Sequence, residues 1–443
     1  MAEVEMSVSP YWELTFDADG DTDERRRDRL LAEVGPRKVR DLIVFAHGWN
    51  NDRSMATGLY SRFFSTIPAL APATARIGYV GVVWPSMRFT DEPIPDFERS
   101  LTATAALPEA AVGPGLDKAT RHALLQTFPG RATVVEQIAR LLDQQPDDEA
   151  ALEEFGGLVR LLVEVPPEAP QTEFAADLVR TDGESDGDPE MFAGSTAAVC
   201  EQFALALAGP ESPGAVAEFA LPNPWKGAQE LLRQATYYAM KRRAGTVGDR
   251  GLGPVLGRLA EAAPGVRVHL AGHSFGARLV SFALRGLPKG VRTVKSVTLL
   301  QGAFSHYAFA DTLPHDARAG GALKGRQNRI DGPLVCCYSQ YDGALGTFYP
   351  LASRMAGDSQ GVLAVKALGP KWGALGHDGV QAVPGTVKLT LAEALRPAKL
   401  PVSGCVNVDA AAVVRNGGAP AGAHSDICHS ELAQVVLAAG RIH

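Results

Sequence analysis

Long apolar runs are missing from this chain. Nowhere do its 443 residues approach the roughly 18–20 consecutive apolar residues of a membrane-spanning helix. The first residues, Met1-Ala2-Glu3-Val4-Glu5-Met6, have neither the basic start nor the apolar core of a secretory signal. Cysteine is scarce, and Cys200, Cys336, Cys337, Cys405 and Cys428 show no Cys-x-x-Cys spacing. An odd number of thiols without that spacing argues against a metal site, a redox pair or a disulfide framework, and for reduced thiols in a cytoplasm. Basic charge is not concentrated: the net charge is −7 with both signs dispersed, which disfavours a nucleic-acid stripe or a polybasic membrane patch. The Gly-rich loops lack a following Gly-Lys-Ser/Thr, so no phosphate-cradling loop is expected. The reading is a cytoplasmic globular protein, long enough for two or three domains.

What is present first is a rhythm of strands and helices. Tyr11 to Phe16 alternates and reads as an edge strand, and a charged helical segment runs from Asp23 to Val34. Asp41 to Ala46 is a continuous apolar run that stops at His47-Gly48, and Gly78 to Trp84 is a second, ended by Pro85-Ser86. Runs of this kind suit strands buried on both faces of a parallel sheet. Helix Met55 to Phe64 lies between them, and strand–helix–strand order is the signature of an α/β sheet.

Residues 90–222 break the rhythm. They hold no convincing strand, several amphipathic helical stretches (Val134, Val135, Ile138, Leu141 and Leu142 share one face) and breakers such as Pro146-Asp147-Asp148 and Val165-Pro166-Pro167. This segment reads as a helical insertion over the carboxyl edge of the sheet, a lid, with a packing appendage as the plainer alternative. The core is then residues 1–89 and 223–443. It resumes with helix Trp225 to Arg243, a Gly-rich joint over 245–253, and helix Pro254 to Ala262. Strands Val266 to Leu270, Val294 to Leu300, Leu334 to Tyr338 and Val402 to Val408 follow, and a last helix over His429 to Ala439.

Gly272-His273-Ser274-Phe275-Gly276 joins the first of these strands to a helical pattern. A serine at the apex of such a strand–turn–helix is pushed out of the sheet, and flanking glycines are required because a Cβ there would collide with its neighbours. Two other matches, around Ser185 and Ser359, have no strand before them and are set aside. A serine hydroxyl is a weak nucleophile until a base takes its proton, and the base must be oriented by an acceptor. Asp342, just past a strand end, and His424, between the last strand and last helix, supply them in the order Ser, Asp, His. His377 and His429 rival His424, while Asp378, Asp409 and Asp426 rival Asp342. An oxyanion needs donors fixed beforehand: the N–H of Phe275 and, from the loop after the second strand, that of Trp49. His47, Gly48 and His273 flank the turns and are candidates for contacting substrate, although structural roles are the simpler reading for the two histidines and for His269. His306 has no assignment.

These residues resemble the α/β-hydrolase superfamily, and within it a poorly characterised bacterial branch. The resemblance rests on His47-Gly48-Trp49-Asn50-Asn51, Trp84-Pro85-Ser86, His273-Ser274-Phe275-Gly276-Ala277-Arg278 and Asp342-Gly343-Ala344-Leu345. It covers residues 40–90 and 225–440 and says nothing of 90–222. Phe275 stands where Met is frequent in that branch, a departure that bears on pocket shape. The resemblance implies a mostly parallel sheet covered by helices and a Ser-His-Asp hydrolase, without metal or organic cofactor, acting on a small-molecule carboxylic ester. Acyl transfer, amide or thioester cleavage, and a binding module with a vestigial site are the alternatives.

Overall fold

The structure is a computed structural model, and it describes residues 6–49, 51–87, 89, 115–180, 190–208, 223–345, 373–418 and 422–442. Asn50 and the two set-aside serine motifs lie outside the described residues. The strands are β1 (Tyr11–Thr15), β2 (Asp41–Ala46), β3 (Ile77–Val83), β4 (Leu178–Arg180), β5 (Arg267–His273), β6 (Val294–Leu300), β7 (Ala319–Gly321), β8 (Pro333–Tyr338), β9 (Val387–Thr390) and β10 (Gly404–Asp409).

Eight of them form one sheet in the order β1-β3-β2-β5-β6-β8-β10-β9, and every pairing in it is parallel. This is an α/β architecture. The continuous apolar runs have the expected cause, because successive side chains feed opposite faces. Leu42 and Val44 enter one hydrophobic cluster while Ile43 and Phe45 enter the other. Helices Arg53–Ser65 and Ser430–Gly440 cover the second face, and Pro224–Thr246, Gly253–Ala262 and Phe275–Gly286 cover the first. Among the described residues no helix is long and apolar enough to cross a membrane.

Three elements depart from the sequence reading. The Gly-rich stretch after Arg243 is no joint: helix Pro224–Thr246 runs on through a π-helical turn, Val247–Leu252, into Gly253–Ala262. Its glycines serve close packing. A methyl group on Gly248 would lie 2.9 Å from Cβ of Phe282, and one on Gly253 would lie 2.6 Å from the carbonyl carbon of Gly286, so larger residues would force the two helices apart. Within 90–222, β4 pairs antiparallel with β7. β9 closes the far edge of the sheet; its residues are mostly exposed, so no apolar pattern announced it.

The inserted helices Lys118–Thr127, Ala132–Gln144, Glu149–Val163 and Thr196–Ala208 share one continuous hydrophobic cluster with the sheet face beneath Pro224–Thr246. Phe155 is completely buried in it, edge-on to Trp225 with ring centroids 5.8 Å apart. Phe155→Ala is expected to destabilise the protein by about 3–5 kcal/mol. Because the core is shared, the loss should appear in chemical denaturation as a shift of one cooperative transition. A separate early transition of the insertion alone would refute the shared core.

Candidate active site

β5 and β2 are neighbours at the point where the strand order reverses, with Gly272 opposite Ala46, so the loops beyond them meet at the switch point, the place at which open α/β sheets commonly bind ligands. There the chain turns sharply. Ser274 has φ 55° and ψ −120°, a conformation that costs a side-chain-bearing residue on the order of 1–3 kcal/mol unless its surroundings impose it. The surroundings do. The Ser274 N–H donates to the Leu300 carbonyl at 3.1 Å, and the Ala303 N–H donates to the Ser274 carbonyl at 3.3 Å. A Cβ on Gly272 would strike the backbone of Gly276, and one on Gly276 would strike the backbone of Ala46 and His47. Both flanking glycines are thus needed for close approach, as the motif implied.

Asp342 and His424 come from two loops that are stitched together. Asp342 forms a β-bridge with Gly422, and the Ala423 N–H donates to the Tyr341 carbonyl at 2.9 Å. His424 Nδ1 lies 2.8 Å from Asp342 Oδ2, and His424 Nε2 lies 2.9 Å from Ser274 Oγ. The other carboxylate oxygen of Asp342 accepts the Leu345 N–H at 3.0 Å. A carboxylate can only accept, so Nδ1 carries the proton and Nε2 is left to accept from the serine hydroxyl. Asp342 is completely buried, whereas the His424 side chain keeps 15% of its surface exposed.

His273 and His47 sit behind this chain. His273 Nε2 donates to the His424 carbonyl at 2.8 Å, holding the histidine's backbone. Burial, helped by nearby His424, pushes the His273 ring down to about 3, against the pull of that hydrogen bond, so it stays neutral. His47 Nδ1 donates to the Gly48 carbonyl at 2.8 Å, its ring stacks on Trp84 at 5.5 Å, and burial pushes it down to about 4. Both histidines bond to protein backbone. A methyl on Gly48 would lie 2.7 Å from Cβ of Ser274, so the loop after β2 lies directly against the nucleophile candidate. Asn51 Nδ2 donates to the Gly48 and Trp49 carbonyls, and Ser86 Oγ donates to the Asn51 carbonyl at 2.6 Å. The two motifs at the ends of β2 and β3 therefore brace one loop. Trp49 packs on Phe275 with ring centroids 6.4 Å apart.

Four of the five rivals are engaged elsewhere. His429 pairs with Asp426 at 2.8 Å, and Asp426 also caps the Arg415 and Asn416 N–H groups. Asp409 accepts the Ala411 N–H at 3.0 Å. Asp378 pairs with His306 at 2.8 Å, which gives that histidine a partner, and His377 lies in the adjoining turn Leu375–Asp378. His269 bonds to Asp41 and Ser296 inside the sheet.

Arg278, one helical turn after Ser274, has a role the sequence did not disclose. It is fully buried and donates to Asp177 Oδ1 at 3.1 Å and to the carbonyls of Phe174 and Lys241, each at 2.9 Å. Lys241 also reaches Asp177, at 2.9 Å. Burial alone would raise the carboxyl of Asp177, but Lys241 and Arg278 hold it down at about 2. Residues 174–177 of the insertion are thereby fastened to helix Phe275–Gly286, the elbow helix that follows the Ser274 turn. Among the described residues no disulfide joins any of the five cysteines, and burial pushes the thiols of Cys337 and Cys405 up to about 12. No family model, curated protein or solved structure matches the chain.

Neutral, buried His47 and His273 make stability pH-dependent. Their folded values lie below the ordinary histidine value of 6.5, so between the two the unfolded chain binds more protons. Their contribution is complete above 6.5 and declines as pH falls toward about 4 and about 3. Each pH unit separating a folded from an unfolded pKa is worth about 1.4 kcal/mol. Urea midpoints should fall from about pH 6.5 to about pH 4.5, and His273→Gln, which keeps a donor but cannot titrate, should flatten the slope. A slope unchanged in His273→Gln would mean that His273 is charged in the fold.

Proposed function

We propose that the chain is a serine hydrolase of the α/β-hydrolase superfamily that cleaves a carboxylic ester through an acyl-enzyme. The observation that carries this reading is the unbroken series Ser274 Oγ to His424 Nε2 at 2.9 Å and His424 Nδ1 to Asp342 at 2.8 Å, with the serine on a strained strand–helix turn. His424 takes the hydroxyl proton as Ser274 Oγ bonds to the ester carbon. Asp342 stabilises the resulting imidazolium. The tetrahedral oxyanion is received by the N–H of Phe275, which at the first position of its helix has no intrahelical acceptor, and by the N–H of Trp49 across the crevice. As the C–O bond breaks, His424 returns its proton to the departing alcohol; water, deprotonated by the same ring, then releases the acid and restores Ser274.

His47, Gly48 and His273 act on substrate indirectly in this reading, by setting the positions of Trp49, Ser274 and His424. The helical insertion is a fixed cover, bound to the elbow helix through Asp177 and Arg278.

A fluorophosphonate probe is expected to label the wild-type protein and to fail with Ser274→Ala. Hydrolysis of a short chromogenic ester should vanish in Ser274→Ala and fall by about 10⁴-fold in kcat in Asp342→Asn, where the histidine tautomer is no longer held. A folded wild type that takes no probe and turns over no ester would overturn the hydrolase reading in favour of a binding module.

A further inference from the structure

Buried polar atoms nearly always have hydrogen-bond partners, and each left alone costs about 1–3 kcal/mol. Around Ser274 several have none. Among the described residues, the indole Nε1 of Trp49, the hydroxyl of Tyr237 and both amide atoms of Gln301 are buried without a partner. Their positions flank the proposed nucleophile from both sides. Trp49 follows β2 and Gln301 follows β6, the two neighbours of β5 in the sheet. Gln301 lies between Leu300, whose carbonyl receives the Ser274 N–H, and Ala303, whose N–H bonds the Ser274 carbonyl. Its φ of 44° is a left-handed value that Gln rarely adopts, and its side chain is wholly buried. Tyr237, on the long helix, packs its ring on Phe275 at 4.6 Å and on Trp49 at 5.4 Å, so Trp49 and Tyr237 both pack against the residue after Ser274.

We infer that Trp49, Tyr237 and Gln301 form a recognition set for an oxygen function on the acyl group of the substrate, so that the preferred substrate is an oxo- or hydroxyacyl ester rather than a plain alkyl ester. This rests on the hydrolase reading of Ser274. The chemistry of the orphaned atoms selects the ligand. An indole N–H only donates. The phenol of Tyr237 is driven well above its ordinary value by burial and by the negative charge of Asp177, with Arg278 opposing, so it keeps its proton and can donate. Gln301 offers a donor and an acceptor. A second oxygen on the acyl chain, with two lone pairs, can accept from two of these donors, and a hydroxyl can also donate to the Gln301 acceptor. A plain alkyl chain leaves every one of these groups unmatched, which is how sites of this kind reject the analogue lacking oxygen.

The test is a ligand-observed NMR titration of Ser274→Ala protein with ethyl acetoacetate and ethyl butyrate, which have equal acyl chain lengths and differ by one oxo group. The expected result is binding of ethyl acetoacetate at least about tenfold tighter, with the ratio reduced toward unity when Tyr237→Phe or Gln301→Leu is added. Both variants should melt at or above the parent temperature, because each removes an unpartnered buried polar group. Equal affinities, no detectable binding of either ester, a ratio insensitive to both substitutions, or a marked fall in melting temperature would each overturn the inference. None of these readouts requires an activated serine. Probe labelling of the wild type judges the hydrolase reading separately.

Discussion

The backbone of Ser274, held at φ 55° between the Leu300 carbonyl and the Ala303 N–H, is the constraint on which the rest of the crevice depends. A strained turn survives only where its neighbours overdetermine it. Here the elbow helix lies so close to the end of β5 that only hydrogen fits at Gly272, and so close to the end of β2 that only hydrogen fits at Gly276, and the loop carrying Gly48 presses on the serine's own Cβ. The result is a hydroxyl projected over the carboxyl ends of the central strands. From that single placement follow its distance to His424 and the closeness of Trp49 and Phe275 to it.

The elbow helix transmits the constraint outward. On one side it lies against the glycine-lined continuation of helix Pro224–Thr246, where side chains at Gly248 or Gly253 would separate the two helices. On the other it sends Arg278 into the insertion, where the buried guanidinium and Asp177 meet the half-buried Lys241. Burying an ion pair is expensive, and its net worth against an apolar isostere is small. Its geometry is nevertheless specific: Arg278 also satisfies the carbonyls of Phe174 and Ala176. The insertion is consequently registered to the elbow helix at the turn nearest Ser274. Together with the continuous core around Phe155, this ties the described helices of the segment to the sheet and to its helices.

The polar atoms left alone near Ser274 stand against this economy. Where Arg278 finds a partner for every direction it points, Trp49, Tyr237 and Gln301 carry unmet hydrogen-bonding capacity a short way off. Strain and unsatisfied polarity coincide in Gln301, next to the strained Ser274 turn, the pattern expected where a site is preorganised for something that arrives later.

Much of this was legible in the residues themselves. The buried parallel strands announced themselves as apolar runs, because a strand covered on both faces has no polar side to show, and the elbow announced itself because its glycines are steric necessities. The order of Ser274, Asp342 and His424 along the chain followed from the strand ends that carry them. Edge strand β9, exposed and without apolar alternation, left no such trace, and the short β4–β7 pair is defined by residues far apart in the chain. The glycines over 245–253 looked like a break because spacing alone cannot tell a flexible joint from a helix that needs room for its neighbour. Only the tertiary structure decided that His429 belongs to Asp426 and His306 to Asp378, and that Arg278 binds the insertion. Those are choices among equivalent side chains, made by which loops the sheet brings within about 3 Å of one another. Sequence therefore determined the layers and the elbow, whose causes are local; partnership was left to the fold, because hydrogen bonds are settled by proximity in space.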